Sequence, residues 1–455
     1  IQLQHHEILK ARMLNYLPDE RMGRYSFLWE ACSYMDQYVE KNIRDIAKVK
    51  VSDIFSNSES KTHDEDLASA KKVLSKIKNR YARQNLISAI SLDGILNDKV
   101  EEFKAVNIKD DDVIYEADEV RSIISFPMLL QHTLRIWLLK NKQPDLPKIL
   151  DKELLSLFEA HFFSSETSEK DVIAFFRLLW EIRYIFDKYI IKWVSVGEEA
   201  IHLISQLRLN KSGNYKGLVR EKPDTNNGFA LLQSMLYHSQ QITTHYWLTP
   251  LLAYIHNNPG LPRQHYSYLR YLDNHLFCST DTAALIERTH GFMVDPYIKK
   301  QLDIRMLDED NGVGFPHYWF YKLEFVLWYL MCSKNKGECD KRWSQFRFTA
   351  KNSVEHISPQ IRKDIDRDAV TDDVVNNFGN LSLVSRSINS EYSNKPFNEK
   401  KEHFKNRNVT KVDSLKMDVI YRNTRWGDEC SNSHQQEMIK LMDQYIFSRR
   451  GVDDE

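Results

Sequence analysis

From Leu3 to Leu330 apolar side chains return every three or four positions, and little in the sequence interrupts them. The 455-residue chain holds only 14 Gly and 12 Pro. Few tight turns are available, so the first part of the chain reads as helix after helix. Leu3, Ile8, Leu9, Met13 and Leu14 share one face of a helix over 2–16, which Pro18 stops. The pattern resumes over 25–49 through Tyr25, Leu28, Trp29, Cys32, Met35 and Tyr38. Residues 120–140, apolar almost all round, predict a buried helix entered near Pro127. Further helices are expected over 151–163, 168–206, 229–257 and 281–291, and the aromatic-rich run 317–330 reads as a core helix. The stretch 56–66 is a polar loop, and 210–228, which collects Gly, Asn, Lys and Pro, is the best internal boundary.

Composition removes several function classes. Lys and Arg number 63 against 64 Asp and Glu, which excludes a uniformly basic nucleic-acid coat but not a local basic surface. A hydrophobic share of 42% excludes global disorder. No window approaches 18 uninterrupted apolar residues, and the start IQLQHHEILK lacks a basic-then-apolar signal, so a cytoplasmic protein without membrane contact is expected. Five scattered cysteines without a CxxC read as reduced thiols. His238, His245, His256 and His265 have no acidic partner at ligand spacing and read as packed or surface histidines. The basic run Lys71, Lys72, Lys76, Lys78, Arg80, Arg83 reads as a solvated helix face, with phosphate contact as the alternative.

The character changes at Arg342. Segments 345–357 and 378–385 are strand-like; an Asn-rich stretch 386–395, Pro396 and a helical FNEKKEHFKN follow. Glu355-His356 opens this unit, Asn380 comes 24 positions after His356, and Asn389 nine further. Phosphodiester hydrolysis needs a base to deprotonate water and positive charge on the developing oxyanion. A neutral His suits the first task near pH 7. One Mg²⁺ or Mn²⁺ held by hard oxygens suits the second, and Glu355 with Asn389 offers such oxygens with one formal charge. Neighbours on a strand face opposite ways, which favours dividing the duties of Glu355 and His356. Asn380 is placed to hydrogen-bond near His356 and fix its orientation.

SVEHISPQ followed by FGNLSLVSRSINSEYSNKPFNEK resembles the HNH, or ββα-metal, nuclease motif of CRISPR effector and homing nucleases. It is closer still to the C-terminal HNH domain of GmrSD-type modification-dependent restriction endonucleases, with Phe397, Lys400 and Trp426 completing the pattern. The resemblance implies Glu355 and Asn389 as metal ligands, His356 as general base, Asn380 as the orienting residue and Asn394 in support. Upstream, LQHHEILKARML and WEACSYMDQYV also resemble these proteins, but the DGQQR of their ParB-like nucleotide-binding domain is missing. With the non-Met start, this suggests a chain that begins after that domain. One departure is the long acidic loop with Asp364, Asp366, Asp368, Asp372 and Asp373.

Window 395–425 carries nine basic against four acidic residues, so Lys395, Lys400, Lys401 and Lys405 are expected on DNA phosphates. The expectation is therefore a mainly α protein: a helical domain 1–210, a second helical segment 211–335, and a small ββα-metal nuclease domain 336–455. It would cut phage or modified DNA as a restriction effector, with a nucleotide-binding domain in the same or a partner chain. The rivals are a nicking or RNA-directed HNH nuclease, and a non-catalytic helical module that only grips nucleic acid.

Overall fold

A computed structural model describes residues 4–47, 120–143, 147–150, 152–197, 199–205, 227–239, 244–258, 260–333, 339–360 and 369–448, and the backbone alone at 207–212 and 215–220. The chain divides into two units. The first draws on 1–224, 246–265 and 285–296, and the second on 225–245, 266–284 and 297–455. The basic run 71–83, the loop 56–66 and Asp364, Asp366 and Asp368 lie outside the described residues.

The first unit opens with α1 (His5–Leu14), α2 (Asp19–Ser33), α3 (Val39–Ala47), α4 (Phe126–Lys140), α5 (Leu154–His161) and α6 (Glu169–Tyr189). Pro127 sits in the first turn of α4, where its missing N–H costs nothing. Ser168 and Asp171 cap the start of α6 reciprocally. Trp29 of α2 meets Phe126 of α4 edge-on at 5.3 Å and Phe176 of α6 at 5.7 Å, which fixes these three helices around one aromatic centre. Arg183 is fully buried, ion-paired to Asp187, and donates to the carbonyls of Cys32, Tyr34 and Gln37. It thereby ties the α2–α3 connection to α6.

The expected helix 168–206 ends at Tyr189. Beyond it β2 (Lys192–Val196) pairs antiparallel with β3 (Glu199–Leu203) and with β1 (Val120–Ser122). Ile190, Ile191, Val194 and Val196 favour the extended chain, and Gly197, at φ +64°, supplies the reversal. The expected boundary 210–228 holds most of a hairpin, β4 (Leu207–Ser212) with β5 (Tyr215–Arg220). The expected helices 25–49 and 229–257 each divide in two.

The chain then supplies α7 (Gly228–Ser239) to the second unit and α8 (Leu248–Asn257) to the first. Next come α9 (Pro262–Phe277), which belongs to the second unit from Tyr266 onward, and α10 (Leu285–Val294) in the first. The rest lies in the second unit: α11 (His317–Trp328), α12 (Lys341–Ser344), β6 (Ser353–His356), β7 (Leu381–Val384), α13 (Arg386–Tyr392), α14 (Phe397–Arg407), α15 (Leu415–Ile420) and α16 (Asp428–Ile446). Helix α11 is buried on every face and packs against α7, α15, α16 and β7. Its Lys322 ion-pairs with Asp273 of α9, which also accepts from Tyr318 Oη at 2.9 Å. A π-helical turn, Tyr329–Ser333, follows α11, and Cys332 is bonded to Cys339. The reduced thiols expected from the sequence are therefore limited to Cys32, Cys278 and Cys430. Among the described residues, no helix is long and apolar enough to cross a membrane.

Candidate active site

Strand β6 covers only the last part of the strand-like segment 345–357. It pairs antiparallel with β7 in a register that sets Glu355 opposite Ser382 and His356 opposite Leu381. Helix α13 follows β7 and packs against β6, so two strands and a helix pack together here. Both motif residues are nearly buried, Glu355 at 5% exposure and His356 at 9%.

The carboxylate of Glu355 meets an ammonium. Lys400 Nζ lies 2.6 Å from Glu355 Oε1 and donates to the backbone carbonyl of His356 at 2.6 Å. Burial raises the Glu355 pKa while Lys400 draws it down, and burial lowers the Lys400 pKa while Glu355 raises it. Lys400 reaches this place because Phe397, Lys400 and Phe404 form the inward stripe of α14. Phe397 stacks on Trp426 at 5.8 Å, and both phenylalanines pack on Tyr421. The sequence expectation of a phosphate contact at Lys400 is thus corrected: its side chain is wholly buried.

His356 is held at its ring. Its Nε2 lies 3.1 Å from Asn376 Oδ1, and burial lowers its pKa, so the imidazole is neutral at pH 7. Asn380, expected to orient the ring, has other partners. Its Oδ1 accepts from Ser358 N at 2.9 Å and from Trp426 Nε1 at 3.0 Å, while Nδ2 donates to the carbonyls of Ser358 and Val375. Asn380 therefore brackets the backbone just after the Glu355-His356 pair, and Trp426 closes that bracket. Gly379 beside it lets α16 approach, since a Cβ there would run into the Ser431 carbonyl.

Asn389 lies mid-way along α13, half-buried, and Asn394 is exposed in the turn beyond it. Among the described residues, no three His, Cys, Asp or Glu side chains converge as a metal-ligand group, so Glu355 is the one carboxylate on the strand pair. The basic window is mostly engaged by the protein itself. Lys416 is buried, Lys401 donates to the Asn423 carbonyl at 2.6 Å, Lys395 sits 3.3 Å from His403 Nε2, and Arg407 pairs with Glu391. Lys405 and Arg425 stay exposed, as does Arg386, one turn before Asn389 on α13. Sequence reasoning passed over Arg386 and Asn376; the i, i+3 spacing to Asn389 was the available signal for the former.

Residues 302–441 match the family model for the C-terminal domain of GmrSD restriction endonucleases. This region is a GmrSD-type C-terminal domain. It contains every residue of the cluster just described, from Glu355 to Trp426. The matched residues make up most of the stretch 297–455 of the second unit. No curated protein and no solved structure matches the chain.

Proposed function

We propose that the chain is an HNH-type endonuclease that hydrolyses DNA phosphodiester bonds as the effector of a modification-dependent, antiphage restriction system in the cytoplasm. The GmrSD-type domain over 302–441 carries this reading, because its strand pair holds a neutral, anchored histidine beside a lone carboxylate. His356 takes the proton of the attacking water. Glu355 and Asn389 are the oxygen donors for one Mg²⁺ or Mn²⁺, and Asn394 supports the turn after α13.

The donor chemistry suits such an ion. Lys400 engages Glu355 Oε1, whereas Oε2 accepts no hydrogen bond among the described residues. An amide and a carboxylate are hard ligands that leave most positions to water. The nearby ammonium weakens the hold on any cation. A bound ion would supply positive charge to the phosphate at the moment charge builds on it.

The test is cleavage of modified and unmodified plasmid by the purified chain, with its nucleotide-binding partner domain added in a second series. Cleavage should require Mg²⁺ or Mn²⁺, stop in EDTA, and fall by at least about 10²-fold in His356→Ala. Undiminished cutting in excess chelator removes the ion. A His356→Ala rate within about threefold of the native one removes the base.

A further inference from the structure

We infer that Asn376 is a positioning residue for His356, holding the imidazole in the tautomer protonated on Nε2, with Gly312 as the backstop that fixes Asn376. The inference rests on the nuclease reading for its consequence, though not for its geometry.

Asn376 Oδ1 faces two nitrogens: His356 Nε2 at 3.1 Å and Gln360 Nε2 at 3.3 Å. An amide oxygen only accepts, so the ring nitrogen that meets it carries the hydrogen. With the Gln360 amide as it stands, turning the Asn376 amide over would set its NH₂ against the NH₂ of Gln360, donor to donor. With Nε2 protonated, a neutral ring has its lone pair on Nδ1, which is the atom left to accept a proton from water.

The amide itself is held. Gly312 N donates to the Asn376 carbonyl at 3.0 Å. Gly312 has φ +49°, and a Cβ there would lie 3.0 Å from Asn376 Oδ1 and 3.1 Å from its Cγ. The glycine therefore leaves the amide its room: a side chain there would be strained at this φ and would crowd the amide, which would have to give by a few tenths of an ångström. The two other groups around His356 have separate tasks. Lys400 holds its carbonyl, and Asn380 spends its amide on Ser358, Val375 and Trp426. Among the described residues, ring orientation is thus left to Asn376.

The experiment pairs ¹⁵N-histidine NMR of the full chain with plasmid cleavage, and assigns the His356 signals by their loss in His356→Gln. The native protein should show His356 protonated on Nε2 alone. Asn376→Ala should move the signals toward the mixture of a free imidazole and lower kcat about 10- to 100-fold, with KM little changed. Asn376→Asp, which keeps an accepting oxygen, should restore the single tautomer. Gly312→Ala, which never touches the ring, should reproduce part of the Asn376→Ala loss. His356 protonated on Nδ1 in the native protein overturns the inference, as do unchanged signals in a folded Asn376→Ala variant. Absence of any cleavage by the native chain would fell the nuclease reading instead, and the NMR signals would still decide the role of Asn376.

Discussion

Lys400 Nζ and Glu355 Oε1 stand 2.6 Å apart in the interior, and the same ammonium grips the carbonyl of His356. One side chain of α14 thereby fixes both the carboxylate and the backbone of the Glu355-His356 pair. Removing one partner of a buried pair leaves the other charge desolvated and unmatched, which costs about 3–5 kcal/mol.

Lys400→Met should therefore unfold at markedly lower urea concentration than the native chain, by roughly that free energy. The double variant Glu355→Gln/Lys400→Met should lose far less than the sum of the two single changes, because no lone charge remains. Additive losses across this cycle would show that the pair contributes nothing as a pair.

Under the proposed function, phosphate contact would fall to the cations that remain exposed. Changing Lys405, Arg425 and Arg386 together to Ala should weaken DNA binding across sequences and flatten log K against log salt by up to about three units. Changing Lys401 or Lys395 should matter less, since each is already engaged by the protein. Filter binding at four salt concentrations separates these sets. Equal slopes for native chain and triple variant would move the DNA track to another surface.

Reduction bears on the turn after α11. The Cys332–Cys339 bond closes a loop between positions seven apart, and such a closure stabilises by about 2 kcal/mol through the unfolded chain. Thermal melts with and without reductant should differ accordingly, and Cys332→Ser/Cys339→Ser should match the reduced protein. Coincident melts, with both thiols alkylated under native conditions, would show that the bond does not form in solution.

How much of this was readable beforehand differs from residue to residue. Helix α4 announced itself through an unbroken apolar run with Pro127 at its mouth, and α6 through its periodicity. The strands after Tyr189 were hidden because IIKWVSV satisfies a helical stripe as readily as an alternating one. Glu355, His356 and Asn380 were legible from spacing, and Phe397, Lys400 and Trp426 from resemblance, yet their contacts were not. Lys400 looked like a surface cation because charge usually means exposure. Its place between Phe397 and Phe404 at three- and four-residue intervals was the contrary signal. Asn376 had none: it sits at the end of an acidic turn, and only the fold brings it to a ring 20 positions away.

Folding stability should depend on pH through Lys416. Lys416 is wholly buried, and burial pushes its pKa down to about 7, although Glu324 acts in the opposite direction. Its Nζ donates to the carbonyls of Phe378 and Leu381 and lies 3.9 Å above the Phe378 ring, so it supports the segment that carries Asn380. In the unfolded chain a lysine titrates near ~10.4. Between about pH 7 and that value the unfolded state holds a proton that the folded state has released, so folding stability rises with pH across the window. The contribution is fully present above the unfolded pKa and is lost as pH falls through about 7. A single such group gives a slope of at most ~1.4 kcal/mol per pH unit. Tyr321, its pKa pushed up to about 12 by burial, and Tyr392, raised by burial as well, oppose this trend only where free tyrosines begin to ionise. Urea unfolding of the native chain and of Lys416→Met at pH 7, 8 and 9 isolates the effect, because the difference between the two curves removes every other titrating group. The native chain should gain stability relative to the variant as pH rises. A constant difference over that range would mean that Lys416 keeps its proton in the folded protein, and that the carbonyls of Phe378 and Leu381 and the Phe378 ring offset its burial.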